Sequence, residues 1–297
     1  MPSTLKADRN AVQQAYATDE GLLTRQRIHD MYTVPRMNFA DWVLNRVQWE
    51  GHEQVLDLGA GTGGYFDLVQ ARIPRGTLYA GDLSMGMARR AQATSVRGRV
   101  SNMDAENLPF ANNTFDVVLA NHILFHVPNL DRALSEIHRV LKPTGLLVAS
   151  TNSVENNMAE LQQLYRRCYA LLGVRGTEID RALIPDGAHF YLEDGPRRAS
   201  RHFFAVVRYD LPSLLVLPSA QPLVDYVNSL RPLREKELPK GVTWEDFINV
   251  LADQVRRLIG HFGELAIGKL AGVIIATDEG GFSRQYVQKL RADESGA

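Results

Sequence analysis

The stretch Asp57-Leu-Gly-Ala-Gly-Thr-Gly-Gly64 decides the fold of this chain. It follows the short apolar run 54–58, which predicts a buried strand, and it precedes residues 65–73, whose pattern predicts a helix. Glycines let the backbone turn sharply between the two elements and let a ligand approach closely. The first turn of the helix offers free N–H groups and partial positive charge. A strand, a glycine loop and a helix in this order predict a cofactor-binding loop.

Strands and helices alternate from this loop to about residue 150. Steps of about 20 residues between successive strands predict right-handed crossovers and a parallel sheet. The fold class is therefore α/β, with a Rossmann-like, mostly parallel, seven-stranded sheet and helices on both faces. The predicted strands are 54–58, 77–82, 99–102, 115–120, 145–150, 202–208 and 268–277, and the main helices are 65–73, 84–93, 130–141, 158–172 and 244–262.

The rest of the sequence predicts three parts. Residues 1–50 read as a helical N-terminal lid segment, and residues 51–152 as the binding core. Residues 153–297 hold the remaining strands together with insertions at about 153–200 and 211–265. We expect these insertions to form a cap over the substrate.

Composition limits the possible functions. The 297 residues are 45% hydrophobic and 23% charged, as in a folded chain with a large core. The net charge of −1 predicts no overall attraction to nucleic acid. The single cysteine, Cys168, excludes an internal disulfide and a multi-cysteine zinc site, and it favours a reducing compartment. Without a membrane-spanning apolar run or a signal-like start, the expectation is a cytoplasmic protein with no metal and no membrane partner. The oligomeric state stays open.

The glycine loop alone allows two kinds of cofactor. Gly59, Gly61 and Gly64 satisfy G-x-G-x-x-G, and Asp82 closes the next strand, as in a dinucleotide fingerprint. Asp57 argues against that alternative, because a carboxylate two residues before the first glycine would repel a pyrophosphate. It suits the ammonium or sulfonium of S-adenosylmethionine. With either cofactor Asp82 can accept both ribose hydroxyls, or it can instead cap the following helix.

Four stretches taken together resemble one family. VLDLGAGTGGYFDL, GDLSMGM, MDAENLPFANNTFDVVLANHILFHVPN and EIHRVLKPTGLLVAS, in this order, resemble the class I S-adenosylmethionine-dependent methyltransferases. The closest resemblance is to the small-molecule group that includes ubiquinone/menaquinone-biosynthesis methyltransferases. It covers about residues 52–152, roughly a third of the chain, and it says little about the substrate.

The resemblance implies a set of cofactor contacts. In the family the glycine loop holds the methionine and ribose portions of S-adenosyl-L-methionine, and the acidic residue after the second strand holds the ribose. The side chains that follow, here Leu83 and Met85, flank the adenine. A later Asp-Ala pair, here Asp104 and Ala105, recognises the adenine. Asp104 could instead be a simple turn residue. Asn121 matches the position whose backbone carbonyl meets the methionine ammonium. The implied set is Asp57, Gly59, Ala60, Gly61, Gly63, Asp82, Leu83, Met85, Asp104, Ala105, Asn121 and His122.

The segment 25–36 adds two expectations from the same resemblance. In related enzymes a helix before the first strand often covers the cofactor. Tyr32 would supply an aromatic ring near the methionine, and Arg25 would pair with its carboxylate. The alternative is a solvated amphipathic helix.

Two histidines are the candidates for catalysis. Methyl transfer is an in-line displacement with a neutral leaving group, so positioning lowers most of the barrier. A general base is needed only when the acceptor carries a proton. His122 and His126 follow the strand at 115–120, and histidine has a suitable pKa for this role, although either could simply pack.

Two further groups could serve the acceptor. Arg197, Arg198, Arg201 and His202 could bind an anionic group on it, or could form a charged surface loop. Residues 189–191 could line its site.

The expected function is a methyltransferase that moves a methyl group from S-adenosyl-L-methionine to a small, partly apolar acceptor. One alternative is an RNA or protein methyltransferase. The near-neutral charge disfavours it, as does Asn121-His-Ile-Leu where an Asn/Asp-Pro-Pro-Tyr/Phe motif would stand. The other alternative is a non-catalytic protein that binds S-adenosylmethionine.

Overall fold

A computed structural model of the protein describes residues 20–94, 99–182 and 190–279. The chain divides into two compact units. We call residues 1–39, 153–187 and 211–271 the helical unit, and residues 40–152, 188–210 and 272–297 the sheet unit. Within the described residues, the helical unit contains α1 (Glu20–Tyr32) and much of the predicted insertions. Residues 190–200, predicted as insertion, lie in the sheet unit instead. The predicted boundaries at residues 50 and 152 stay predictions.

The described residues form eight strands in the order β1-β7-β8-β6-β5-β2-β3-β4. Neighbouring strands from β6 through β5, β2 and β3 to β4 are parallel, and β1 is antiparallel to β7. The predicted α/β class with a mostly parallel sheet is confirmed. The strands are β1 Thr33–Val34, β2 Gln54–Leu58, β3 Thr77–Asp82, β4 Arg99–Asn102, β5 Phe115–Leu119, β6 Leu141–Asn152, β7 Ala205–Leu217 and β8 Leu265–Thr277.

The predicted count of seven strands is wrong by one. The additional strand is β1, whose two residues pair with Leu215 and Leu214 of β7. Two residues are too few to show a period of two in the sequence, so only the partner strand reveals β1.

The helices follow the predicted pattern, with small shifts at their ends. The longest, predicted at 244–262, has those bounds in the structure. The helices are α1 Glu20–Tyr32, α2 Phe39–Leu44, α3 Phe66–Arg72, α4 Met85–Thr94, α5 Leu130–Val140, α6 Ala159–Leu171, α7 Gly176–Ala182, α8 Gly195–Ala199, α9 Gln221–Asn228, α10 Arg231–Arg234 and α11 Trp244–Phe262.

Strand β7 differs from the prediction in its bounds. It begins at Ala205 instead of residue 202 and continues to Leu217, so the insertion expected from residue 211 starts inside a strand. Asp210 and Pro212 suggest a turn when the sequence is read locally. In the structure these residues belong to a stretch whose burial alternates, which is typical of a strand with one solvent-facing side.

The sheet unit contains a topological switch point. The chain passes from β2 outward to β3 and β4, and then returns to the other side of β2 as β5. Asp57 of β2 is in register with Leu119 of β5, so the loops after both strands leave the same edge of the sheet. Open α/β sheets bind ligands in the crevice at such a point.

Helix α5 shows why the sheet unit holds its shape. Its residues Leu130, Ala133, Leu134, Ile137 and Val140 recur at helical spacing and are all buried. Asn129 caps the helix, because its side chain accepts a hydrogen bond from the Arg132 N–H. The buried face joins the apolar residues of the parallel strands in one core.

The helical unit has a separate, aromatic core. Tyr165 and Tyr169 of α6 pack on Phe247 of α11, with ring centroids 5.2 and 5.0 Å from that of Phe247. Thr243 caps α11 by accepting a hydrogen bond from the Asp246 N–H, and Gly263 ends the helix at a φ of 86°.

Two features are absent from the described residues. No helix among them has the length and apolar character needed to cross a bilayer. They also bring together no group of three or more His, Cys, Asp and Glu side chains that could hold a metal ion.

Candidate functional site

The glycine loop turns back on the end of β3. Gly59, Gly61 and Gly63 have φ values of 73°, 56° and 86°, which favour glycine. The Gly59 and Ala60 N–H groups both donate to the Gly81 carbonyl, at 2.7 and 3.0 Å. The required glycines therefore have the spacing G-x-G-x-G.

Gly64 does not have the role of the third glycine in a dinucleotide fingerprint. That glycine permits close packing of helix on strand. A Cβ added at Gly64 would meet no atom within 4 Å, and the residue is exposed. The geometry thus weighs against the dinucleotide alternative.

Asp82 braces the loop at the end of β3. One carboxylate oxygen accepts from the Gly61 N–H at 3.0 Å, and the other accepts from the Ser84 N–H at 2.8 Å. Burial raises the pKa of Asp82, while the two N–H donors oppose the rise. Each carboxylate oxygen can accept more than one hydrogen bond. Asp82 can therefore hold the loop and still accept from the hydroxyls of a ligand. Ser84 itself caps α4, because its hydroxyl accepts from the Met87 N–H at 3.3 Å.

Asp57 is a buried carboxylate with an unsatisfied oxygen. Its side chain is 2% exposed, and no described residue donates a hydrogen bond to its Oδ2. Burial, followed by the nearby charge of Asp82, raises the pKa of Asp57 to about 7. An isolated buried negative charge is costly unless a donor or a cation satisfies it. The site therefore fits a cationic ligand group such as an ammonium or a sulfonium.

We expect Asp57→Asn to stabilise the protein in a pH-dependent way. The folded-state pKa of about 7 lies above the ordinary value near 4, so the folded state keeps a proton that the unfolded state releases. Stability is thus lost as the pH rises from about 4 to about 7 and stays lost above it. Asparagine cannot ionise, so its advantage should grow by a few kcal/mol between pH 4 and pH 8. Urea unfolding across this range checks the prediction, and an advantage independent of pH would contradict it.

The loop after β5 lies against the glycine loop. A Cβ added at Gly59 would lie 2.1 Å from Cγ2 of Ile123. The His122 N–H donates to the Ser150 carbonyl at 3.0 Å, and His122 has a left-handed φ of 55°. No described residue hydrogen-bonds either polar atom of the buried Asn121 amide. Asn121 and Asp57 thus present unsatisfied polar atoms at the ends of two adjacent strands.

The expected adenine contacts lie at the ends of β3 and β4. The Met103 N–H donates to the Asp82 carbonyl at 3.1 Å, which ties the two strand ends together. Met85 is 50% exposed, Leu83 is half-buried and Ala105 is buried. Asp104 accepts from the Glu106 N–H at 2.9 Å, as a turn residue does. Asp104, Ala105, Leu83 and Met85 stay predictions as adenine contacts.

Arg25 and Tyr32 belong to the helical unit, whereas the glycine loop belongs to the sheet unit. The Arg25 guanidinium donates to the backbone carbonyl and the hydroxyl of Ser229, at 3.1 and 3.3 Å. Tyr32 packs against the apolar core of its own unit. Their roles toward the cofactor stay predictions.

The remaining candidates have local partners. The His126 ring lies 4.4 Å from the ring of Phe125. Arg198 pairs with Asp194, while Arg201 and His202 lie 3.9 and 3.5 Å from Asp131. These ion pairs favour the charged-surface alternative for that cluster. His189 lies outside the described residues.

Tyr65 is a further residue near the glycine loop, and it is not among the residues predicted from the sequence. Burial raises the pKa of its phenol far above the ordinary value, the charge of Asp57 raises it further, and Ser150 opposes the rise. These causes place the phenol near Asp57 and Ser150. The signal in the sequence that could have identified Tyr65 is its position directly after the glycine loop.

The similarity to known proteins lies in the part of the chain that contains the glycine loop. Residues 56–149 match the family model described as "Methyltransferase domain". A ubiquinone/menaquinone biosynthesis C-methyltransferase of Desulfotalea psychrophila is 36% identical over 121 residues, which cover 39% of this chain and 49% of that protein. A malonyl-[acyl-carrier protein] O-methyltransferase of Methylococcus capsulatus is 39% identical over 116 residues, covering 38% and 42%. The chain thus spans about half the length of these relatives.

The likeness of structure extends further along the chain. Haemonchus contortus phosphoethanolamine N-methyltransferase 2, solved in complex with S-adenosyl-L-methionine, has a TM-score of 0.54 at 16% sequence identity. The superposition covers 91% of this chain and 60% of that one, and at this identity it shows the fold alone. Residues 56–149 thus match a methyltransferase domain, and this part of the chain is similar in sequence to proteins named as methyltransferases.

Proposed function

We propose that the protein is an S-adenosylmethionine-dependent methyltransferase that acts on a small-molecule acceptor. The observation that carries the proposal is the buried Asp57 carboxylate. Its Oδ2 has no hydrogen-bond partner among the described residues, and Asp57 lies in the strand that leads into the G-x-G-x-G loop at the switch point of the sheet. A negatively charged group at this position suits a cationic cofactor and opposes a pyrophosphate. Relatives of about a third identity that are named as methyltransferases support the same activity.

Different residues of the chain would contact different parts of the cofactor. S-adenosyl-L-methionine supplies, when bound, a methyl group on a sulfonium that leaves as a neutral thioether. Asp82 would accept hydrogen bonds from the ribose hydroxyls. The negative charge of Asp57 would attract the positively charged ammonium or sulfonium of the cofactor. Gly59, Gly61 and Gly63 let the backbone approach the ligand without side-chain interference. The Asn121 carbonyl would accept from the ammonium.

The identity of the acceptor is the less determined part of the proposal. The two relatives are named for C-methylation in quinone biosynthesis and for O-methylation of malonyl-acyl-carrier protein. Both acceptor atoms fit the same cofactor site, so the similarity supports the class of reaction more than the acceptor atom. The net charge of −1 disfavours a nucleic acid acceptor, and the single cysteine favours the cytoplasm.

Calorimetry with S-adenosylhomocysteine and with NAD tests the proposed cofactor on the full chain. We expect saturable binding of S-adenosylhomocysteine and none of NAD, because Asp57 opposes a pyrophosphate. No heat with S-adenosylhomocysteine would contradict the proposal. If S-adenosylhomocysteine binds but methyl transfer occurs only to RNA or protein, or to no acceptor, the corresponding alternative replaces the small-molecule acceptor.

His122 is the proposed general base for an acceptor that carries a proton. We expect His122→Asn to lower kcat by about 10²- to 10⁴-fold on a phenolic or hydroxyl acceptor, because the imidazole is lost. Asparagine tolerates the left-handed backbone that His122 adopts, so the loop should keep its shape. Binding of S-adenosylhomocysteine should change little.

The matched control is His138→Asn. His138 pairs with Asp278 at 2.6 Å and has no proposed part in the reaction, so its loss should leave turnover unchanged. Turnover of His122→Asn equal to that of the wild type, with saturating cofactor, would remove His122 from the mechanism. His126→Asn would then test the second candidate in the same assay.

A further inference from the structure

Phe125 lies on a short turn that follows β5. The turn is a single turn of 3₁₀ helix, Leu124–His126. Leu124 is buried and anchors the turn in the core of the sheet unit, whereas the Phe125 ring is half-buried. Ile123, the residue before the turn, lies so close to Gly59 that a Cβ there would be 2.1 Å from its Cγ2. The position of the Phe125 ring is therefore tied to the glycine loop.

Tyr191 is held at the end of β6 by the segment that precedes α8. The Leu192 N–H donates to the Asn152 carbonyl at 3.1 Å, and the Thr151 hydroxyl donates to the Phe190 carbonyl at 2.7 Å. Phe190 and Leu192 are buried, while the Tyr191 ring between them is half-buried. Because β5 and β6 are parallel neighbours, the segments that carry Phe125 and Tyr191 meet at the same edge of the sheet.

The rings of Phe125 and Tyr191 form one aromatic surface, which we call the aromatic pair. Their planes are parallel to within 7°, and their centroids lie 6.3 Å apart. Two imidazole rings adjoin Phe125, with the His122 centroid 6.4 Å and the His126 centroid 4.4 Å from that of Phe125. All four residues belong to the sheet unit. Aromatic rings attract a further planar ring through offset stacking and edge contacts, which a saturated ring cannot make.

The aromatic pair and its histidines have the composition of a small-molecule site. Such sites are lined mainly by apolar and aromatic side chains, and a few polar groups fix the orientation of the ligand. We propose that the methyl acceptor is a planar aromatic alcohol, whose ring stacks on the aromatic pair and whose hydroxyl faces His122. This class of acceptor rests on the proposed methyl transfer, because it names the molecule that would receive the methyl group.

Methyl transfer to such an acceptor balances in atoms and charge. A bond forms between the acceptor oxygen and the methyl carbon as the C–S bond of the cofactor breaks, and the thioether leaves neutral. The proton of the acceptor hydroxyl passes to His122, which then releases it to water. The aromatic pair would hold the acceptor ring in place while this happens, and positioning lowers much of the barrier.

An NMR titration with 2-naphthol tests the aromatic pair on the full chain, with decahydro-2-naphthol as the saturated comparator. The two molecules share a carbon skeleton and a hydroxyl, but only 2-naphthol is planar and aromatic. We expect 2-naphthol to bind saturably and the comparator to bind about tenfold more weakly or not at all, because it cannot stack. Each titration is run with and without saturating S-adenosylhomocysteine.

Four variants locate the bound ring. Phe125→Leu and Tyr191→Leu keep an apolar side chain but remove a ring, so each should weaken 2-naphthol binding about three- to tenfold. Tyr191→Phe keeps the ring and should bind within about twofold of the wild type. Phe204→Leu is the matched control, because Phe204 belongs to the same unit, is 87% exposed and lies outside the aromatic pair. It should bind as the wild type does.

Two results on binding would overturn the proposal. Equal or tighter binding of decahydro-2-naphthol would show an apolar surface with no preference for planar rings, and this comparison uses the wild-type chain alone. Unchanged 2-naphthol affinity in both leucine variants, at wild-type melting temperatures, would show that the two rings only pack on each other.

The cofactor separates this proposal from the proposed function. Binding of S-adenosylhomocysteine without binding of 2-naphthol would overturn the aromatic acceptor and leave the methyl transfer in place. Binding of 2-naphthol through both rings without binding of S-adenosylhomocysteine would overturn the methyl transfer, and with it the role of 2-naphthol as a model of the acceptor.

Discussion

Asp82→Ala is expected to weaken the binding of S-adenosylhomocysteine by about 100-fold or more. The substitution removes the two carboxylate oxygens that accept from the Gly61 and Ser84 N–H groups, so the glycine loop loses its brace to the end of β3. It also removes the proposed acceptor of the ribose hydroxyls. Both losses act on the same proposed ligand, because Asp82 is hydrogen-bonded directly to the glycine loop at Gly61. Calorimetry measures the change directly.

Asp67→Ala is the matched control for this prediction. Asp67 is an exposed carboxylate in the first turn of α3, close in sequence to the loop but without a proposed contact to the cofactor. Its loss should change the affinity by less than about threefold. Circular dichroism would show whether both variants keep the fold. An affinity of Asp82→Ala within tenfold of the wild type would show that the ribose is not held there.

Gly59→Ala is expected to destabilise the protein by roughly 2–5 kcal/mol. The residue has a φ of 73°, and the new Cβ would lie 2.1 Å from Cγ2 of Ile123. Either the glycine loop or the loop after β5 must move, and both loops carry proposed cofactor contacts. We therefore also expect loss of S-adenosylhomocysteine binding. Urea unfolding, followed by calorimetry, checks both effects.

The same loop provides its own control in Gly64→Ala. A Cβ at Gly64 would meet no atom within 4 Å, and its φ is not in the left-handed region. The change in stability should stay below about 1 kcal/mol and should be in the stabilising direction. Equal effects at Gly59 and Gly64 would mean that the close contact with Ile123 does not exist in solution.

The sequence predicts most of the sheet unit, and the reason is local. A buried parallel strand is a continuous apolar run, and α5 repeats its apolar residues at helical spacing, so each element carries its own signal. Strand β1 and the full length of β7 lack such a signal. Thr33 and Val34 form a strand only because β7 offers hydrogen-bonding partners, and Pro212 lies within β7 although prolines usually end strands.

The candidate site, like the fold, is only partly predictable from the sequence. The glycine spacing and the acidic residues after two strands predict where a cofactor would lie. The sequence does not show that Oδ2 of Asp57 lacks a hydrogen-bond partner among the described residues, or that Tyr65 lies near Asp57. Each of these facts depends on which atoms of distant residues come within hydrogen-bonding distance.

The sequence by itself determined the class of fold, the resemblance to methyltransferases and the position of the glycine loop, because a strand–loop–helix unit with glycines at fixed spacing is specified within about twenty residues. Only the tertiary structure decided which polar groups are left unsatisfied. Burial and pairing depend on all the elements packed around a group, so the raised pKa of Asp57 has no local signature. The chemistry of a buried group is set by its neighbours in space, and the order of the chain gives no direct measure of those neighbours.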